Sequence, residues 1–490
     1  MRLKSLATLV SASTLLAACA SYSGIAPEFK PLDYDTVQGQ SAVAYANWPK
    51  NDWYRELNDP ELTRLIEQAL ADSPNVQAAT AKLNHAKAAS GLAESALWPQ
   101  IGASLATTRE RFSERGTTPP PYAGTVQNIN DLQVSGQWEL DFFGKNRENL
   151  KASVGELRAT EAEYQATRLL LANNVARNYY SLARLLAQHE LAEQRARQRD
   201  DLARLVERRF KAGLDTRVEL ESAQGVIPEN ARDIAALDEQ ISLARHALAA
   251  LIGQGPDAVN DLAPKLPVIT NLALPDSLPA DLLGHRADVV AARWRVDAAT
   301  HSMASTKALF YPNINLRAFA ALSAIGFEQW LDTGSRQPGI GLAITLPLFD
   351  AARLRNQYRS SAAQVDDSVA SYNSALLEAL HDVADQLSTL QSLDTQISRQ
   401  QAAQSSAERG YELALKRYKA DISDRLSVLN VESNLIAQRR TAVDLQARWI
   451  DSRLRLTRAL GGGFAETLGE TTDSTSPQSA NVPTTPLAAN

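Results

Sequence analysis

The sequence predicts a mainly α-helical protein with a membrane β-barrel segment, built from an internal tandem repeat. Three observations lead to this prediction. One phrase occurs twice in the chain, four stretches alternate between polar and apolar residues, and two long stretches without proline carry apolar residues every three or four positions. With 490 residues the chain is too long for one compact core, so it is expected to divide into parts.

The repeat becomes visible when Pro99 in "LWPQI" is set against Pro312 in "FYPNI". Three gapless matches then follow in the same order along the chain: residues 73–101 with 286–314, 139–147 with 345–353, and 208–220 with 416–428. Matches that keep their order indicate a duplicated unit of about two hundred residues. Each copy is predicted to contain a helix, two strands, a long helix, a turn and a return helix.

The alternating stretches predict two strands in each copy. The predicted strands are 100–110 and 131–141 in the first copy, and 313–322 and 339–348 in the second. The loops between them, 115–128 and 332–339, are rich in turn formers, as is typical of outward-facing barrel loops. A soluble sandwich with alternating strands is the alternative interpretation.

Aromatic residues gather at the opposite ends of these strands, where a girdle at one face of a bilayer would place them. The predicted interface aromatics are Trp98, Phe142, Phe143, Phe310, Tyr311 and Phe349.

The helical pattern distinguishes this chain from an ordinary sandwich. No proline occurs from about Arg147 to Phe210 or from about Leu354 to Tyr418. Each stretch would form a helix on the order of 90 Å long, which exceeds the diameter of a compact domain. Apolar residues spaced by threes and fours predict long antiparallel coiled-coil hairpins, with tips near 210–216 and 418–425. Pro228 is expected to kink the first return helix.

From about Trp48 to Leu460 the chain resembles the outer-membrane factor (TolC-like) family, and within it the NodT-type efflux lipoproteins. The resemblance rests on five segments: "WYRELNDPELTRLIEQALADSPNVQAA" (53–79), "WELDFFGK" (138–145), "LPADLLGHRADVVAA" (278–292), "TLPLFD" (345–350) and "RYKADISDRLSVLNVES" (417–433). One departure is Ala287, which stands where the family usually has proline.

The resemblance implies a homotrimer in which each chain adds four strands to a shared 12-stranded barrel and two hairpins to a periplasmic α-barrel. Four strands alone cannot close a barrel, and an open edge in lipid leaves hydrogen bonds unmet. The implied function is a passive exit duct for drugs and toxic compounds in the outer membrane. Its implied partners are a periplasmic adaptor (membrane-fusion protein), an RND-type inner-membrane pump and outer-membrane lipid.

The N-terminus predicts an export signal that ends in a lipid anchor. "MRLKSLATLVSASTLLAAC" has a basic start and an apolar run too short to span a membrane. Residues 16–19 resemble the lipobox of bacterial lipoproteins, in which Cys19 would carry the covalent lipid; no other cofactor is expected. An ordinary signal peptide with an incidental cysteine is the alternative.

These features divide the chain into consecutive segments. They are a signal peptide (1–18), a lipidated N-terminal segment (19–59), the first repeat (60–254), a linker (255–279), the second repeat (280–460) and a disordered tail (461–490).

The periplasmic hairpin tips are expected to carry the gate. In TolC-like relatives acidic residues of the second hairpin narrow the lumen, and the matching positions here are Ser427 and Asn430. The nearest acidic substitutes are Asp215, Glu219, Asp421 and Asp424, with Arg217 and Arg425 as expected ion-pair partners. The alternative is that these are solvated turn charges worth under about 1 kcal/mol each.

Other function classes find little support in the sequence. A formal net charge of -6 disfavours nucleic-acid binding. The chain shows no glycine-rich phosphate loop and no nucleophile paired with a base, so neither nucleotide hydrolysis nor another enzymatic activity is predicted. The six histidines are scattered, and no metal site is predicted. A type I protein-secretion duct, a metal-efflux duct and a periplasmic coiled-coil structural lipoprotein stay open as alternatives.

Overall fold

The computed structural model describes residues 21–32, 49–268, 282–347 and 349–464. The predicted signal peptide, Cys19 and most of the predicted tail lie outside the described residues. In the described part, the chain consists of one four-stranded sheet and two long helical hairpins.

The sheet is an antiparallel meander in the order β1-β2-β3-β4. Its strands are β1 (Gln100–Arg111), β2 (Val126–Glu139), β3 (Asn313–Ile325) and β4 (Arg336–Thr345). Strands β2 and β3 come from different repeats, yet they pair directly over residues 129–139 and 315–325. The two copies therefore form one continuous sheet.

The strands start closer to the hairpin turns than the sequence predicts. β2 begins at Val126 rather than 131, and β4 occupies 336–345 rather than 339–348. The reason is that the ladders continue into the turn-forming segments, where Arg111 pairs with Val126 and Leu322 pairs with Arg336. In β4, backbone pairing overrides the low strand propensity of Pro338, which lies opposite Ala320.

Corresponding helices of the two repeats have matching lengths. The helices are α1 (Pro60–Asp72), α2 (Pro74–Ser95), α3 (Lys145–Lys211), α4 (Arg217–Leu251), the single turn α5 (Leu282–His285), α6 (Ala287–Ala308), α7 (Ala351–Lys419) and α8 (Arg425–Ala459). α2 and α6 have 22 residues each, α3 and α7 have 67 and 69, and α4 and α8 have 35 each. At about 1.5 Å per residue, α3 and α7 are about 100 Å long.

Local sequence fixes where several helices begin. Asp59 accepts a hydrogen bond from the Leu62 N–H, and Ser73 accepts one from the Asn75 N–H. In both cases proline follows at the first helical position, where its missing N–H does no harm. None of the described helices has an apolar stretch long enough to cross a membrane.

The seam predicted for the second long helix is buried. From Tyr358 to Leu393 the apolar positions spaced by threes and fours are all buried, and Ile397 is half-buried. α7 packs along α8, α3 packs along α4, and α3 also packs along α8. The Gln198 side chain donates to the Leu429 carbonyl at 2.5 Å, and Asn173 donates to the Leu454 carbonyl at 2.6 Å. These contacts hold the two hairpins side by side.

Pro228 does not divide the first return helix. Helix α4 continues through it from Arg217 to Leu251. Pro228 is exposed, so water can take up the carbonyl that loses its helical partner.

The predicted tail is ordered at its start. Gly461, Gly462 and Gly463, here called the glycine clasp, have positive φ values of 85°, 55° and 90°. After the clasp, the Phe464 carbonyl lies 3.0 Å from His285 Nδ1. The end of the second repeat is thus tied to its beginning through Gly461–Phe464, and the rest of the predicted tail lies outside the described residues.

Candidate functional site

The sheet has one apolar face and one polar face. The apolar face is formed by alternate residues of every strand, brought into line by the ladders: Ile101, Ala103, Leu105, Leu132, Val134, Trp138, Ile314, Leu316, Ala318, Ile340, Leu342 and Ile344. At the sheet edges these side chains are strongly exposed, 76% for Ile101 and 79% for Ile340. Contiguous exposed apolar surface of this kind marks an interaction with lipid or protein.

The opposite face carries Gln133, Ser135 and Gln137 on β2 and Asn313, Asn315 and Arg317 on β3. An apolar face backed by a polar one is the pattern of a wall between lipid and a water-filled lumen.

Both edges of the sheet are open. β1 pairs with β2 alone and β4 pairs with β3 alone within the described chain. Each edge therefore presents a row of backbone N–H and C=O groups without a strand partner. In lipid such groups have to be paired, because no water reaches them.

The six predicted interface aromatics lie at the end of the sheet that joins the helices. Trp98, Phe142 and Phe349 are exposed by 67%, 66% and 90%. Phe143 is 45% exposed and stacks on Tyr311 with ring centroids 4.8 Å apart. This stack joins the two repeats.

Phe310 differs from the other five. Its ring packs edge-on against Tyr358 of α7 at 5.9 Å and against Tyr22 at 5.6 Å. Phe310 therefore supports the six interface aromatics, here called the aromatic rim, from the side that faces α7. Tyr22 is not predictable as part of this group, since a single aromatic residue in an irregular segment carries no periodic signal.

Residues 21–32, here called the N-terminal strap, lie along α7. The backbone N–H groups of Glu28 and Phe29 both donate to Asp366 Oδ1 at 2.8 Å. The Leu32 N–H donates to Asn373 Oδ1 at 2.7 Å, and Asn373 Nδ2 donates back to the Lys30 carbonyl at 3.2 Å. An extended segment without helix or strand partners is thus held through its backbone.

The upper end of the strap is fixed by Tyr22. Its hydroxyl lies 3.2 Å from that of Tyr311, and the Lys307 ammonium lies 4.7 Å from the centre of its ring. Tyr22 therefore joins the strap to the aromatic rim.

The two hairpin tips turn in the same way. The Leu214 N–H donates to the Arg209 carbonyl at 2.8 Å, and the Ile422 N–H donates to the Arg417 carbonyl at 2.9 Å. At each tip the residue before the donor has a positive φ, 72° at Gly213 and 55° at Asp421. Asp421 thus occupies the position of a helix-ending glycine, which aspartate tolerates better than most residues.

The other tip acids serve the turns within one chain. Asp215 accepts from Arg209 Nε at 2.9 Å, and Glu219 Oε2 accepts the Thr216 N–H at 2.5 Å in a capping box. Asp424 caps α8 by accepting the Ser427 N–H at 2.9 Å. Hydrogen bonds from Thr216 lower the pKa of Glu219, and hydrogen bonds from Ser427 lower the pKa of Asp424, so both are ionised at neutral pH.

The expected arginine pairs are replaced by others. Arg217 reaches Glu221 on its own helix at 3.4 Å, because residues four apart share a helix face. Arg425 reaches Asp201 of α3 at 3.8 Å, so it links α8 to the other hairpin. Ser427 and Asn430 are both exposed, and Ser427 is engaged in the α8 cap.

An ionic cluster around the buried Arg286, near the glycine clasp, is not predicted by the sequence. Arg286 is only 8% exposed and binds Asp288 at 2.5 Å and Asp382 of α7 at 3.1 Å. Arg458 of α8 also approaches Asp382, at 3.6 Å. Burial alone would raise the pKa of Asp288, but the hydrogen bond and charge of Arg286 outweigh it and hold that pKa below its usual range.

Histidines do not gather into a metal centre in the part of the chain that the structure describes. No group of three or more His, Cys, Asp or Glu residues there has a suitable arrangement. His381 and Asp385 lie 3.3 Å apart as an exposed pair on one helix.

An open sheet with one lipid-compatible face, continued by two hairpins about 100 Å long, is the architecture of a subunit of a TolC-like outer-membrane channel. Known proteins agree with this class. The family model described as "Outer membrane efflux protein" matches residues 65–254 and 278–462, one match for each repeat, and the chain belongs to that family.

Similar proteins of known structure support the same class. VceC, an outer membrane protein of Vibrio cholerae, is 36% identical, with a TM-score of 0.78 over 85% of this chain and 100% of that one. The CmeC channel of Campylobacter jejuni has a TM-score of 0.81, with 90% of this chain and 96% of that one covered; at 18% identity it shows the fold alone.

Curated relatives carry the names of resistance proteins. "Fusaric acid resistance protein FusA" of Burkholderia cepacia is 34% identical over 73% of this chain and 69% of its own length. "Putative multidrug resistance outer membrane protein MdtQ" of Escherichia coli K12 is 30% identical over 84% and 88%. The chain is thus an efflux channel of the bacterial outer membrane that extends into the periplasm.

Proposed function

We propose that three copies of this chain close a 12-stranded barrel and a tube of helices, which together form the passive exit duct of a tripartite efflux system. The observation that carries this proposal is the open sheet, whose edges β1 and β4 have no partner strand within the described chain. Pairing β4 of one subunit with β1 of the next would satisfy both edges in lipid. Twelve strands also leave a passage, whereas about eight leave an interior filled by side chains.

The proposed partners are a periplasmic adaptor and an RND-type inner-membrane pump. Membership of the family implies the pump. The exposed hairpin tips offer a surface on which the adaptor can bind. The names of the relatives support a cargo of small toxic organic compounds. Energy comes from the pump in this scheme, so the channel itself carries out no catalysis.

Loss and restoration of resistance tests this function. Deleting the gene should raise sensitivity to several unrelated small toxic compounds, and the wild-type gene should restore resistance. Purified protein should form ion-conducting channels in planar bilayers. Unchanged drug sensitivity together with a defect in protein secretion or metal tolerance would favour those alternative ducts, and absence of conductance would contradict a channel.

We further propose that Cys19 carries a covalent lipid. Two observations support this: the sequence up to Cys19 resembles a lipobox, and the strap that starts two residues later is fixed to the aromatic rim through Tyr22. A lipid at Cys19 would then enter the inner leaflet of the outer membrane beside the barrel.

Mass analysis of the mature N-terminus tests this proposal. The expected result is a chain that begins at an acylated Cys19, and an unmodified N-terminus at another residue would contradict it. Because one acyl anchor adds to barrel insertion rather than replacing it, the variant C19A should still reach the membrane if it is exported with a substitute signal peptide.

A further inference from the structure

Three arginines lie on the apolar face of the sheet at its end farthest from the helices. Arg109 and Arg111 follow Ile101, Ala103 and Leu105 along the same face of β1, because side chains alternate with a period of two. Arg336 shares its face of β4 with Ile340, Leu342 and Ile344 in the same way. We call Arg109, Arg111 and Arg336 the arginine rim.

The position of the rim in the membrane follows from the helices. The helical hairpins leave the sheet at the opposite end and extend into the periplasm, so the arginine rim lies at the level of the outer leaflet. Its side chains share the face that meets lipid, in contrast to Arg317, which lies on the polar face.

The repeat brings the three arginines together between subunits. Within one chain β1 and β4 are the two edges of the sheet. In the repeat, β1 corresponds to β3 through Pro99 and Pro312, and β2 corresponds to β4 through Phe143 and Phe349. The observed pairing of β2 with β3 is therefore a template for the pairing of β4 with β1 of the adjacent subunit. The hairpins of the two copies differ in register by two residues, since Gln100 pairs with Gln137 whereas Asn313 pairs with Thr345. The transferred register therefore places Arg336 of one subunit within two residues of the position opposite Arg111 of the next, on the same face of the sheet.

This arrangement leaves positive charge uncompensated. Like charges that are opposite or diagonal neighbours on one face of a sheet repel each other, and long arginine side chains can reach across both positions. Among the described residues, one ion pair involves the arginine rim. Arg111 lies 3.3 Å from Glu114, and both side chains are largely exposed. Arg109 and Arg336 have no such partner there. An anion lying on the lipid side of the seam would relieve the repulsion.

We propose that the arginine rim binds the phosphate groups of lipopolysaccharide in the outer leaflet, at each seam between subunits. Guanidinium groups bind phosphate through paired, charge-assisted hydrogen bonds. A phosphate monoester carries a charge of about -1.5 to -2 at neutral pH, enough to offset two arginines. The apolar residues below the rim on β1 and β4 would receive the acyl chains of the same lipid. This inference rests on the proposed trimer.

The test measures bound lipid on the purified, conducting trimer. Lipopolysaccharide copurified with the wild type is compared with that on R109Q/R111Q/R336Q, with R317Q as a control that loses the same type of charge from the polar face. We expect the triple variant to bind added lipopolysaccharide with an affinity about one tenth of that of the wild type, or lower still. Equal affinity of the triple variant and the wild type would overturn the proposal.

Two further arms separate the possible outcomes. If the triple variant fails to assemble, R336Q alone takes its place in the test. R336Q keeps the Arg111–Glu114 pair, and we expect it to bind lipopolysaccharide more weakly than the wild type. Inorganic phosphate should not raise the melting temperature of the wild type, whereas lipopolysaccharide should; an equal rise with both would contradict recognition of a lipid. Conductance recorded on the same preparations shows whether the channel itself has formed, so failure of lipid binding is distinguishable from failure of the proposed duct.

Discussion

At the residue scale, the glycine clasp shows how three small residues hold the ends of the second repeat together. A Cβ atom at Gly461 would lie 1.7 Å from the His285 carbonyl oxygen, and one at Gly462 would lie 2.0 Å from Leu169 Cδ1. The backbone of all three residues is also in the left-handed region, which side chains rarely adopt. Only glycine fits at these positions, where the end of the second repeat packs against its beginning.

Replacement of Gly461 by alanine should destabilise the fold. We expect G461A to lower the free energy of unfolding by more than about 2 kcal/mol, because it combines backbone strain with a contact against a fixed carbonyl. The melting temperature of the purified protein measures the effect.

Gly91 of α2 provides the matched control. It lies in a helix with open space around its Cβ position, so G91A should stabilise by about 0.5–1 kcal/mol. Equal melting temperatures for G461A and the wild type would show that the clasp is not rigid.

Asp288 predicts a specific dependence of stability on pH. Its folded-state pKa is lowered, since the contacts to Arg286 outweigh the effect of burial. A carboxylate of this kind stabilises the fold above its ordinary pKa of about 3.9, and this contribution is lost as the pH falls through the lowered value.

We therefore expect the melting temperature of D288N to fall less than that of the wild type between pH 6 and pH 3. At pH 6 the variant itself should be less stable, because Arg286 keeps a buried charge with one partner fewer. Parallel melting curves across this pH range would contradict the assignment. D385N, which alters an exposed pair, serves as the control.

Sequence reasoning reached these individual residues least well. The sequence predicts a disordered tail from Gly461, since a glycine run looks the same in a tight turn and in a disordered segment. Arg286 and Asp288 lie within the segment 278–292 that carries the family resemblance, but the sequence does not predict their ion pair. Their function depends on Asp382, which lies 96 residues away from Arg286 in the chain, and no local pattern encodes such a contact.

At the scale of elements, the helices and strands followed the sequence closely. The long helices were predictable because apolar residues repeat every three or four positions over many turns, and the strands because they alternate. Strand ends were less predictable, since pairing carried β2 into the polar segment 126–130 and β4 into 336–338, which includes Pro338. The tip ion pairs were wrong because the turn geometry directs Arg209, and not Arg217, toward Asp215.

The tips give a prediction for gating. Near the tips, Arg425 of α8 forms an ion pair with Asp201 of α3, on the other hairpin. We expect R425A to loosen the tip and to increase single-channel conductance in planar bilayers, because it removes this ion pair between the hairpins without touching the cap of α8.

R217A is the matched control for this experiment. It removes a contact within α4 and should leave the conductance unchanged. A conductance of R425A equal to that of the wild type would count against the tip as the gate. D424A is a less specific variant, since it also removes the α8 cap at a cost of about 1 kcal/mol.

At the scale of the whole molecule, one chain by itself is an incomplete membrane structure. Four strands with an exposed apolar face and two open edges are stable in lipid only when other copies complete the barrel. The duplicated sequence explains how three chains would form a tube with six similar sectors, because each repeat contributes one pair of strands and one hairpin. Strand number per chain was predictable from the repeat, whereas the register between subunits requires the observed β2-β3 ladder.

The most direct test of this account is imaging of the protein by cryo-electron microscopy after extraction in a gentle detergent. The account predicts a particle of three chains around a hollow axis, with β4 of each subunit paired to β1 of the next. A well-folded single chain with unpaired sheet edges and no axial channel would contradict it.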